Sequence, residues 1–212
     1  MNLNSPSRSK VQPLRARLRE ETNKAILQAA EQVFGAQGAG GARMEDIAAR
    51  AGVAVGTLYN HFHDRDALLS ELLASRREDL AGRLDDELRR SQGEDFSRQL
   101  QGFVGTILTH FEEHRPFFSV LLEAENAGAS PSSPRRKRQS AALAEVFKRV
   151  QQLVHRGIAA GNLRKDSDLL GTFLLGLVRS VLVQELYVPG RASVAERALQ
   201  IAEFFLRGAQ RR

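Results

Sequence analysis

His110 and His114 stand four residues apart, with Glu113 beside them. On a helix that spacing points two imidazoles from one face, and the available chemistry is metal binding or proton transfer. The neighbouring sequence does not develop either. There is no HExxH arrangement and no Cys, and His114-Arg115-Pro116 reads as a helix end, where a cation is favoured anyway. The two histidines are therefore expected on a helix surface or in a pocket, with no metal and no cofactor. His155 is isolated, and no GxSxG nucleophile or suitably spaced acid pair occurs. Gly38, Gly40 and Gly41 lack the lysine of a phosphate loop. An enzyme is not expected; the rival reading is an all-α catalyst using His110 or His114.

A different chemistry is written between Arg43 and Arg65, in RMEDIAARAGVAVGTLYNHFHDR. Met44, Ile47, Ala48 and Ala51 recur at helical spacing, and Gly52 comes next as a residue able to take the left-handed conformation that stops a helix. Val53 turns inward. Val55 to Phe62 makes a second short helix with Leu58 and Phe62 on one face. Small Ala48 and Ala51 let the two helices cross closely. Val55, Gly56, Thr57, Tyr59, Asn60 and His61 are left outside the core, a surface free of carboxylates. A helix–turn–helix sets the start of its second helix in the DNA major groove. Thr57, Tyr59, His61 and Arg65 are expected to reach phosphates, Val55, Gly56 and Tyr59 to touch bases or sugars, and Asn60 to read a base edge. Arg43 and Glu45, at the start of the first of these helices, complete the expected DNA-contact set.

This segment resembles the DNA-binding domain of TetR-family transcriptional regulators. The resemblance rests on Ile47-Ala48, Ala51-Gly52-Val53, Gly56-Thr57-Leu58-Tyr59, His61-Phe62 and Asp66-Ala67-Leu68-Leu69. The family usually has Ser or Thr where Arg43 stands and Ser where Ala54 stands. Losing such a cap costs about 1 kcal/mol and removes a hydroxyl able to bond phosphate. Arg65 takes the place of the family's usual Lys. More weakly, the resemblance extends to Gly161-Asn162-Leu163 and to Phe204-Phe205-Leu206-Arg207-Gly208. It implies a homodimer paired through its last two helices, a palindromic double-stranded operator, and a small-molecule effector that releases a repressor from it. An effector-blind DNA-binding protein is the alternative.

The elements that must position this surface are helical. The chain has 212 residues, 42% hydrophobic and 26% charged, with 31 Lys+Arg against 25 Asp+Glu for a net charge of +6. That composition suits a globular protein with an anionic partner. Absent Cys excludes disulfides and thiolate metal sites, and the N-terminus carries no apolar signal core. The apolar run Leu169 to Val183 is short and interrupted by Arg179, so no membrane partner and a cytoplasmic location are expected. The expected fold is all-α in three parts: a basic arm over 1–19, with Arg8, Lys10, Arg15, Arg17 and Arg19; a three-helix DNA-binding domain over 20–66, its first helix ending near Phe34; and a helical-bundle ligand-binding and dimerisation domain over 67–212.

Within the last part, leucines from Leu68 to Leu88 predict one long helix linking the DNA reader to the helical domain. Phe96 to Glu113 predicts another, and Asn126 to Gln139, with Arg135-Arg136-Lys137-Arg138, reads as a loop. Leu169 to Tyr187 is apolar on nearly every side, so a second chain should cover what its own chain leaves bare. Val194, Ala198, Ile201 and Phe205 offer a similar stripe. Phe103, Ile107, His110, Phe111, Phe118, Leu122, Phe147, Phe173 and Leu177 are the candidates to line an effector cavity, with His110, Glu123, Arg179 and Gln184 to orient a ligand.

Overall fold

The computed structural model describes residues 14–126, 134–165 and 168–209, and among them finds nine α-helices and no strand. Helix α1 is Leu14–Gly41. It begins inside the stretch expected as an arm: Arg15, Arg17 and Arg19 are helical and exposed, whereas Arg8 and Lys10 lie outside the described residues. Leu, Ala and Arg are all strong helix formers, which explains the early start. The helix also runs past Phe34 to Gly41, with a kink where Gly38 sits at φ 74°. Helix α2 is Met44–Ala51, stopped by Gly52 at φ 69°, whose N–H reaches the carbonyls of Ala48 and Ala49. Helix α3 is Val55–His61 and α4 is Arg65–Arg90. Asp64 caps α4, accepting from the Ala67 N–H at 2.7 Å.

Helices α5 (Phe96–Glu113) and α6 (Arg115–Asn126) meet at His114, and Pro116 sits in the first turn of α6, where its missing N–H costs nothing. Helix α7 is Pro134–Ala159, with Gly161 just beyond it at φ 77°. Arg135 to Arg138 therefore belong to a helix and not to the expected loop; Pro134 at a helix start is again a favoured position. Helices α8 (Leu170–Tyr187) and α9 (Val194–Ala209) complete the chain. The Ser193–Glu196 capping box is formed, with the Glu196 carboxylate accepting from the Ser193 N–H at 2.7 Å.

Two hydrophobic cores organise these helices. The first joins Ile26 and Phe34 of α1, Ile47 of α2, Leu58 of α3, Leu68 and Leu72 of α4, and also Phe117 and Val120 of α6. The second joins Leu84 and Leu88 of α4 to Leu100 and Phe103 of α5, Leu153 of α7, Leu174 of α8 and Phe205 of α9. Helix α4 thus runs through both, as its leucine spacing predicts. Helix α6 enters the first core against α1, at a place where only glycine fits: a Cβ on Gly35 would stand 2.9 Å from Pro116 Cβ and 3.0 Å from its carbonyl.

Two expectations are corrected here. Helix α8 is longer than its apolar run: 18 residues of mean hydropathy 1.3 are, by length and composition, enough to cross a membrane. One line of it, Leu170, Leu174, Val178 and Leu182, is buried at helical spacing in the second core. The stripe of α9 expected at a subunit interface (Val194, Ala198, Ile201, Phe205) packs into the same core, against α5. The bare face belongs instead to Leu199 and Phe204, 42% and 68% exposed, beside Phe173 of α8 at 50%. An amphipathic helix buries its stronger stripe against its own chain first, and helical spacing alone does not say which face that is.

The α1–α6 contact yields a test. Gly35→Ala should destabilise by about 1–3 kcal/mol, because the added methyl meets backbone that cannot rotate away. Gly82→Ala, mid-way along α4 where an added Cβ meets nothing within 4 Å, should stabilise by up to about 1 kcal/mol. Urea unfolding of the two variants checks the opposite signs.

Candidate nucleic-acid interface and adjoining cavity

Helix α3 is seven residues long, too short to be stable alone. Leu58, fully buried, pins it to the first core, and Phe62 just after it is 7% exposed. Everything else turns outward to some degree. Val55, Gly56, Tyr59 and Asn60 are exposed, while Thr57 and His61 are half-buried. A Cβ on Gly56 would meet nothing within 4 Å, so the fold itself does not require glycine there. Arg43 and Glu45 are exposed at the start of α2. Neither Arg43 nor Ala54 caps its helix with a side chain, as their types require. Burial lowers the His61 pKa, and the nearby charge of Arg19 lowers it further, which places the basic start of α1 beside the end of α3. Arg65 is half-buried and donates from Nη1 to the Gly40 carbonyl at 2.8 Å, tying α4 to the end of α1.

A cavity of about 110 Å³ lies between α4, α5, α6 and α8. Ile107, His110, Phe111 and Phe118 line it as expected, joined by Leu73, Leu80, Phe117 and Leu182. The rings of Phe111 and Phe118 meet edge to face at 3.9 Å between centroids. Arg76, Arg77 and His114 add polar groups to the wall. Burial, reinforced by His114, pushes the pKa of His110 down to about 4, so its imidazole is neutral near neutral pH. The other expected lining residues are elsewhere. Phe103 is completely buried in the second core and Phe147 is half-buried on α7. Phe173 and Leu177 line a separate surface groove between α8 and α9. Arg179 and Gln184 are exposed on α8, away from the cavity, and the side chains of Leu122 and Glu123 lie outside the described residues.

Residues 26–72 match the profile of the family described as bacterial regulatory proteins, tetR family. The chain carries a TetR-family DNA-binding domain. The chain is 29% identical over 172 residues to the HTH-type transcriptional regulator SrpR of Pseudomonas putida, spanning 79% of this chain and 76% of that protein. It is 27% identical over 146 residues to the HTH-type transcriptional repressor KstR2 of Mycolicibacterium smegmatis, spanning 68% of each. Its fold superimposes with a TM-score of 0.75 on FadR from Bacillus subtilis, crystallised with stearoyl-CoA, over 88% of this chain and 99% of that one at 16% identity. It is therefore a DNA-binding transcriptional regulator with a helix–turn–helix domain joined to a helical domain.

Around the cavity, the sequence did not single out Glu31, Arg76, Arg77 or Asp79. Arg76 donates to Glu31 at 3.0 Å, and Glu31 is also 2.5 Å from His114 Nδ1. One carboxylate of α1 is thereby held by α4 and by the end of α5. The partners are distant in sequence, and each reads alone as an ordinary surface charge. Helical spacing places Glu31 beside the apolar face of α1 but does not say which residues meet it there.

The exposure of α3 separates two kinds of contact. Asn60→Ala should change the preferred operator sequence, as read by selection from a random DNA pool. Arg65→Ala should weaken all sequences alike and lower the salt slope of binding by about one unit. Unchanged isotherms for both variants would mean that another surface holds the DNA.

Proposed function

We propose that this chain is a homodimeric repressor whose affinity for a palindromic operator is set by a small molecule with an apolar body, bound in the cavity between α4, α5, α6 and α8. The observation that carries this reading is the double membership of α6. Phe117 lines the cavity and is also buried, with Val120, in the core that holds α3. A ligand that moves Phe117 and Phe118 therefore acts on the packing of the DNA-binding domain. Two routes lead there: α4, which runs through both cores, and the Gly35–Pro116 contact, which has no slack.

The cavity volume fits a switch. At about 110 Å³ it is well below the roughly 300 Å³ at which ligand pockets usually begin. An organic effector has to open it, and opening moves α4 or α6. The ligand shifts the equilibrium only by its difference in affinity for the open and closed arrangements. FadR, with its bound stearoyl-CoA, supports a ligand with a long apolar part in this fold.

Dimerisation is assigned to the outer faces of α8 and α9. Phe173 and Phe204, with Gly176 and Gly208, line a groove of about 530 Å³ there. Leaving phenylalanines half or more exposed is costly unless something covers them. Within the proposed dimer, Arg43, Glu45, Val55, Gly56, Thr57, Tyr59, Asn60, His61 and Arg65 of each chain face the operator, and the exposed Arg15, Arg17 and Arg19 on α1 add nonspecific attraction to phosphate.

Two variants test the arrangement. Phe204→Glu should give monomers by sedimentation, with operator affinity reduced at least tenfold and little loss of thermal stability. A variant that remains dimeric would place the interface elsewhere. Phe118→Trp should fill the cavity and remove an effector response that, at a typical coupling of 1–3 kcal/mol, changes wild-type operator affinity by about 5- to 150-fold. Operator titrations across a panel of apolar metabolites provide the readout; if no member shifts wild-type affinity, the effector assignment fails while DNA binding stands.

A further inference from the structure

His110 on α5 and His114, which caps its end, face Asp79 on α4, and one ligand atom from each lies within 4.8 Å of the others. His110 is buried, at 8% exposure, and its Nδ1 stands 3.4 Å from Asp79 Oδ2 without a hydrogen-bond partner. His114 is oriented from behind. Its Nδ1 lies 2.5 Å from Glu31 Oε1, so the carboxylate accepts the Nδ1 proton and Nε2 is left as a bare acceptor. That Nε2 is also buried and has no hydrogen-bond partner. Two buried imidazole nitrogens without hydrogen-bond partners in one cluster are a cost that an ordinary core does not carry.

We propose that Asp79, His110 and His114 form a site for a divalent transition cation, zinc above all, with Glu31 as the carboxylate that orients His114. The donor set, two imidazoles and one carboxylate, is one that zinc accepts in open sites. A carboxylate holding the far nitrogen of a ligating histidine is the usual outer support of such a site. The run His110-Phe111-Glu112-Glu113-His114 also has the histidine spacing of the inverted zinc motif, an acid preceding the second histidine. Here Glu113 is held by Arg83 Nη1 at 2.6 Å, so it is not offered as a base.

Tetrahedral zinc with bonds near 2.1 Å sets its ligand atoms roughly 3.4 Å apart. Closing from 4.8 Å asks for small side-chain rotations, chiefly of half-buried Asp79. Asp79 Oδ2 also meets Arg83 Nε at 3.1 Å, and the ion would take that oxygen while Arg83 keeps Glu113. The carboxylates around the site are already paired: Glu31 with Arg76, and Asp79 and Glu113 with Arg83. Three protein ligands leave a position open, and both histidines line the cavity, so water or a polar group of a cavity ligand can complete the shell. The ion would staple α4 to α5 and, through Glu31, reach α1 of the DNA-binding domain.

The ion site shares a wall with the effector cavity but does not depend on an effector, because ion binding is measured with none present. The full chain, stripped with a chelator and dialysed, is titrated with Zn²⁺ against a chromophoric competitor, and with Co²⁺ for its visible ligand-field bands. One equivalent per chain at submicromolar affinity is expected, with tetrahedral or five-coordinate cobalt spectra. His110→Asn and Asp79→Asn should each abolish this site. Glu31→Gln, which leaves all three ligands in place, should weaken it about 10- to 100-fold. Circular dichroism and melting of each stripped variant report folding, and Asp79→Asn, at a half-buried position, keeps the test decisive if His110→Asn does not fold. His63→Asn with His155→Asn should bind Zn²⁺ as the wild type does. No stoichiometric binding at tens of micromolar Zn²⁺ would overturn the assignment. So would binding that survives Asp79→Asn, or that disappears with His63 and His155.

Discussion

Helix α3 is held by very little. It has seven residues, no side-chain cap, and Leu58 as its single buried residue. A helix of that length has no stability of its own, so its direction is whatever α1, α2 and α4 impose through Leu58 and Phe62. The dependence frees its outer surface of packing duties, leaving Gly56, Tyr59 and Asn60 available to a groove. It also means that α3 moves with any neighbour that moves. A longer, self-sufficient reading helix would resist the regulation proposed for this one.

The proposed transmission would run through the way the cores divide. Helix α4 gives its first half to the core beneath α3 and its second half to the helical domain. Helix α6 reaches back to place Phe117 and Val120 in the first core. The Glu31 carboxylate, held by Arg76 and His114, adds a polar tie across the same junction. Close-packed junctions have discrete arrangements rather than a continuum, which is what a two-state regulator needs. The proposed ion site and the proposed effector cavity lie on this junction, so either would bias the same equilibrium.

The helix–turn–helix was legible because its constraints are local. Gly52 needs a positive φ, Leu58 and Phe62 need one face, and Asp64 caps the next helix, all within about a dozen residues. The long α4 and the capping box before α9 were legible for the same reason. What the sequence concealed was contact between distant segments. Apolar spacing showed that Phe103, Phe147 and Phe173 would bury a face, but one went to the core, one to a partly covered helix and one to an outer groove. It showed that α9 is amphipathic but not that its stripe packs on α5 of the same chain. The histidine pair was visible, yet its third member, Asp79, lies a helix away, and without it the pair reads as ordinary surface chemistry. Good helix formers carried α1 and α7 further into the basic stretches than charge alone implies.

The central claim is that α3 sits in the major groove twice per operator, once from each chain of a dimer. Because the protein contains no Cys, a single thiol can be placed at Ala54, exposed at the start of α3, and loaded with an iron chelate that cleaves nearby DNA. On an operator chosen by selection, cleavage should fall in two clusters related by a two-fold axis, separated by roughly 34–36 Å or a larger whole number of turns. A single asymmetric cluster, or cleavage scattered along the duplex regardless of sequence, would contradict the account.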